Sequence, residues 1–113
     1  MVELYIVKFI GQGNLNHHGL FIPYENGGDV GTLYHAKGSA PHGFNKEQKP
    51  NYNIIASGSY IPGSKDFIKE VDLDVFEAAV NATPGYAPVS LRDAMAGNFK
   101  NCQTWVDEVL DKL

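Results

Sequence analysis

The chain has 113 residues, 43% of them hydrophobic and 19% charged, the make-up of one soluble domain with a modest core. A formal net charge of −4 with no block of like charge argues against nucleic acid, whose recognition needs a basic stripe. The single cysteine excludes an internal disulfide. No apolar run reaches the roughly 18 residues of a membrane span. Met1 to Lys8 lacks the parts of a secretory leader, so the expected compartment is the cytoplasm.

Val2 to Ile10 is rich in β-branched and aromatic residues and reads as a buried strand. Gly11 to Asn14 is turn chemistry. His17 to Tyr24 reads as a second strand, with His17, Gly19 and Phe21 on one face and His18, Leu20 and Ile22 on the other. Pro23 and the run Glu25 to Asp29 end it. Gly31 to Lys37 is a third strand, antiparallel to the second, a pairing that can bring His17 near His35. Gly38 to Asn53 is rich in Gly, Pro, Asn and Lys and is expected to be a surface excursion. A fourth strand is expected over Ile54 to Ile61, and a short fifth over Phe67 to Val71.

Helices close the chain. Asp72 to Val80 carries an apolar stripe of Leu73, Phe76, Ala79 and Val80, with Asp74 and Glu77 spaced as a capping box. Ser90 to Ala96 reads as a short helix capped by Ser90. Trp105, Val106, Val109, Leu110 and Leu113 make one face of the last helix, with Asn101 as its N-cap. Strands first and helices last give an α+β domain over residues 1–113, with helices packed on one face of an antiparallel sheet.

Cys102 would occupy the first turn of that last helix. Free N–H groups and the positive end of the helix dipole favour a thiolate there. A free cysteine is equally at home as a small buried core residue. A nucleophilic thiol needs a base and a group to orient it, and the candidate bases are His17, His18, His35 and His42. Strand parity alone leaves open which histidine faces the cysteine. A metal centre on the four histidines is disfavoured, because His17 and His18 are adjacent on a strand and point to opposite faces.

The ordered set His17-His18-Gly19-Leu20-Phe21, Tyr34-His35-Ala36 and Asn101-Cys102-Gln103-Thr104-Trp105 resembles the circularly permuted NlpC-type papain-like fold, whose best-known members are the lecithin:retinol acyltransferase-like proteins. The longer set of His17 to Pro23, Gly31 to Gly38, Gly43 to Glu47, Asn51-Tyr52 and Asn101 to Trp105 is similar to a group of small fungal proteins and covers nearly the whole domain. The resemblance implies Cys102 as nucleophile, His17 as base and His35 as the residue that orients it, with His18 where that group usually has Trp. It implies acyl transfer through a thioester on a peptide-like or small-molecule amide or ester, with no cofactor. The C-terminal membrane anchor of the acyltransferases has no counterpart here. The Cys102 backbone N–H would stabilise the oxyanion, with Gln12, Asn14 or Asn16 as sources of a second donor. The alternative is a non-catalytic binding domain on the same fold.

Overall fold

A computed structural model describes residues 1–11 and 16–113. It contains β1 (Val2–Phe9), β2 (His17–Pro23), β3 (Val30–Ser39), β4 (Gly43–Asn53), β5 (Asp66–Val71), α1 (Leu73–Asn81), α2 (Leu91–Ala96) and α3 (Cys102–Asp111). The strands form one antiparallel sheet in the order β4-β3-β2-β1-β5. The chain is an α+β domain, as its order of strands and helices predicts. Among the described residues no helix is long and apolar enough to cross a membrane.

The three central strands are apolar on both faces because both faces are covered. On one face Leu4, Leu20, Ile22, Tyr34 and Ala36 pack with Phe76 and Ala79 of α1 and Trp105, Val106 and Val109 of α3. On the other, Tyr5, Val7, Phe9, Phe21 and Leu33 gather around Ile54, with Tyr52 and Tyr60 at the margin. Strand alternation divides them: Leu20 and Ile22 go to the helices, and Phe21 between them goes to the second core.

Two expectations are corrected. The stretch Gly38 to Asn53 is not a loop: it is the end of β3 and all of β4. Its polar composition, including Pro50, is that of an edge strand, where one side needs no partner and charges discourage further pairing. Ile54 to Ile61 is not a strand but a series of turns across the second core. Ile54 is fully buried there, and the Ile10 N–H donates to the Ser59 carbonyl at 2.7 Å. Of the apolar residues that imitate a strand, Ile54 plugs that core and Tyr60 packs at its margin, while Ile55 is exposed.

The first helix also starts earlier than its spacing suggests. Asp72, not Asp74, is the N-cap, its carboxylate accepting the N–H groups of Asp74 and Val75. Glu77 instead accepts the Tyr34 hydroxyl at 3.4 Å. Ser90 caps α2 and Asn101 caps α3 as expected.

Candidate functional site

The site is built across three neighbouring strands. His17 opens β2, His35 lies in β3 and Glu47 in β4, with His35 directly opposite Glu47. Gly19 makes room for them: a Cβ there would meet Leu33 Cδ1 at 2.9 Å and His35 Cβ at 3.5 Å. Without that side chain, the buried His35 ring reaches diagonally to His17. His17 Nε2 and His35 Nδ1 are 2.6 Å apart, and His35 Nε2 lies 2.8 Å from Glu47 Oε1.

The direction of this chain of hydrogen bonds follows from its carboxylate end. The His35 bond holds the Glu47 carboxyl below its ordinary range, so Glu47 is ionised and can only accept. His35 therefore carries its proton on Nε2. Burial holds His35 below the usual histidine range despite the carboxylate, so it is neutral and its Nδ1 accepts. His17 must then donate from Nε2, and its Nδ1 is left as a bare lone pair. Burial first, then the neighbouring His35, His18, Lys49 and Lys37, push His17 down to about 4. At neutral pH it is an uncharged base in one fixed tautomer.

His17 and His35 open onto a cavity of about 270 Å³ on the sheet face away from the helices. Phe9, Leu33 and Tyr52 give it apolar walls, and Lys37 and Lys49 stand at its polar side. Tyr52 reaches it through a bulge: Leu33 opposes Lys49 while Gly31 opposes Tyr52, one extra residue on β4. Asn51, at φ 55°, takes the left-handed conformation there, held by the Tyr24 hydroxyl, which accepts its N–H at 2.7 Å.

Cys102 lies at the other side of the sheet's end. It is the first residue of α3 and is only 8% exposed. Cys102, Trp105, Val106 and Val109 are the buried positions of the helix, so the thiol continues the stripe that faces the sheet. Among the described residues no hydrogen bond joins it to a histidine. Strand alternation puts His18, not His17, on this face. Burial and Lys8 lower His18, while Asp107 of α3 opposes the shift. The N-terminus of α3 is nevertheless fastened beside His17, because the Gln103 side-chain amide donates to the Asn16 carbonyl at 3.1 Å.

The helix start is prepared electrostatically. Asn101 Oδ1 accepts the N–H groups of Gln103 and Thr104, and the Asn101 N–H donates back to the Thr104 hydroxyl. The Cys102 N–H has no partner among the described residues. Of the other sources of an oxyanion donor, Gln12 and Asn14 lie outside the described residues, and Asn16 is exposed. His42 sits exposed in the turn between β3 and β4, away from the other histidines. Among the described residues no group of His, Cys, Asp and Glu is placed to hold a metal ion.

Glu47 is the functional residue that sequence reasoning left without a role. Its signal was the stretch Gly43-Phe44-Asn45-Lys46-Glu47, whose last residue reaches His35 only once β4 is recognised as a strand.

What fold and site define together is an α+β domain with a histidine–histidine–carboxylate chain on one sheet face and a capped cysteine helix on the other. A family model described as a family of unknown function, DUF6540, matches residues 4–113, and the chain belongs to that family. No curated protein and no solved structure matches it.

Proposed function

We propose that the protein is a cysteine-dependent hydrolase or acyltransferase of the permuted papain-like type. In this reading it acts on an amide or ester through a thioester on Cys102, with His17 as base and His35 as its positioning residue. The observation that carries the reading is the His17–His35–Glu47 chain. A base held in one tautomer by a second group, itself fixed by a carboxylate, is the arrangement nucleophilic catalysis uses. The Cys102 N–H, without a partner among the described residues, and the fastening of Gln103 to Asn16 support it from the thiol's side.

His17 Nδ1 takes the proton from the Cys102 thiol, and the sulfur attacks the carbonyl carbon. The oxygen that gains the electron pair is stabilised by the Cys102 N–H. Collapse expels the amine or alcohol, which leaves with the proton held on Nδ1. Water or an amine, deprotonated by the same Nδ1, then attacks the thioester and frees the thiol. Catalytic hydrogen bonds are often open until substrate is bound. The reading requires the thiol to meet His17 just beyond the first residue of β2.

The burial of Cys102 and its lack of a histidine partner favour a second reading, a binding domain with an inert thiol. Mixing the protein with p-nitrophenyl acetate and taking intact and peptide masses separates the two. The expected result is one acetyl group on Cys102, formed at least about 100-fold more slowly in His17→Ala, the usual size of a general-base contribution. An unmodified Cys102, or equal rates in both proteins, would leave only the binding domain.

A further inference from the structure

We infer that the cavity beside His17 is a binding site for a small carboxylate with a flat apolar body, the anion lying between Lys37 and Lys49 and the body against Phe9, Leu33 and Tyr52. As a statement about binding it stands on the cavity. As a statement about substrate it rests on the hydrolase reading and names the charge that substrate would carry.

The charge balance of the cavity runs against that of the protein. The chain carries −4 overall, with 9 basic residues, yet Lys37 and Lys49 both line this one cavity. No carboxylate lines it. Glu47 stands behind it, engaged by His35 at 2.8 Å, with Lys49 at 3.5 Å. Lys37 has no ion-pair partner among the described residues. Two ammonium groups facing one carboxylate already engaged by a histidine leave a positive excess, which focuses an anion into a concave site.

The walls set the other half of the ligand. Phe9 and Tyr52 meet edge to face with ring centroids 6.2 Å apart, and the Lys49 ammonium lies 5.7 Å from the Tyr52 ring centroid. Leu33 is 2% exposed and closes the floor. A volume of about 270 Å³ falls just short of the usual range for small-molecule sites, about 300–1,000 Å³, so the occupant is one small molecule rather than a chain or a lipid. His17 lines the same cavity, which sets its ring beside the bound molecule.

The test follows the histidine side-chain resonances of the intact protein by NMR during titration with benzoate and with benzyl alcohol, which has the same ring without the charge. Benzoate is expected to shift His17 saturably and to raise its titration midpoint, because the anion offsets Lys37 and Lys49. Benzyl alcohol is expected to bind at least about tenfold more weakly, and Lys37→Met to weaken benzoate by about the same factor. Lys37 is exposed, so its substitution leaves the fold intact. Cys102→Ala is expected to bind benzoate as the wild type does, so loss of the hydrolase reading would leave this result standing. Equal binding of acid and alcohol, no saturable shift of His17, or no effect of Lys37→Met would overturn the proposal.

Discussion

Trp105→Ala is expected to lower stability by about 3–5 kcal/mol, the range for truncating a large buried aromatic side chain. That is a large part of the roughly 5–15 kcal/mol that holds a domain folded. The indole is fully buried in the core between α1, α3 and the sheet. Its Nε1–H donates to the Thr83 carbonyl at 3.0 Å. Thr83 is itself fully buried, its hydroxyl donating to the Ala79 carbonyl at 2.8 Å. Trp105 therefore ties the cysteine helix to the end of α1. Trp105→Phe retains most of the packing and leaves the Thr83 carbonyl unpaired, a loss of about 1–3 kcal/mol. Urea unfolding followed by circular dichroism measures both. If Trp105→Phe matched the wild type, the indole bond would contribute nothing.

Acid is the second strong perturbation, and its sign follows from the histidine chain. His17 titrates near 4 in the folded protein and near its ordinary 6.5 when unfolded. Between those values the unfolded chain binds more protons, so stability is present in full above about pH 6.5 and is lost as the pH falls toward 4. His35 and His18 are lowered as well and act in the same direction. Glu47 is also lowered, so its contribution is lost as pH falls through its folded value, again on the acid side. A proton on His17 Nδ1 leaves its bond to His35 in place and costs the burial of a charge, whereas a proton on His35 Nδ1 removes the acceptor for His17 and turns the 2.6 Å contact into a repulsion. Urea midpoints are expected to be level from pH 8 to 7 and to fall steadily from 6.5 to 4, with a shallower fall in His17→Gln. A midpoint unchanged down to pH 5 would show that the two rings are not held neutral against each other.

Much of the fold was legible because local chemistry and tertiary role agree in it. The strands around Leu4, Leu20 and Tyr34 announce themselves by β-branched and aromatic residues. Ser90 and Asn101 are caps whose side chains do in the structure what their types suggest. The failures come where role and composition part. β4 looks like a loop because an edge strand needs few apolar residues, and Ile54 to Ile61 looks like a strand because a loop that plugs a core is apolar. The site divides the same way. Antiparallel pairing of the second and third strands was enough to bring His17 and His35 together, whereas Glu47 depended on β4. Which sheet face the cysteine helix covers could not be read from alternation within one strand. It is set by Phe76, Trp105 and Val109 packing on Leu20 and Ile22, which puts His18 rather than His17 on the face of α3.

The relation of Cys102 to the two histidines is therefore the point on which the functional account turns. Its most direct measurement is the rate of Cys102 alkylation by iodoacetamide in the wild type, in His17→Ala and in His18→Ala. The account predicts a wild-type thiol that is alkylated in the folded protein at neutral pH, with a rate that falls by about 100-fold in His17→Ala and not in His18→Ala, because the uncharged His17 takes the thiol proton as the sulfur attacks. Loss of the effect in His18→Ala alone would give the base to the histidine on the helix face. A thiol that reacts only once the protein unfolds would contradict the account and leave the open-face cavity as the working part of the molecule.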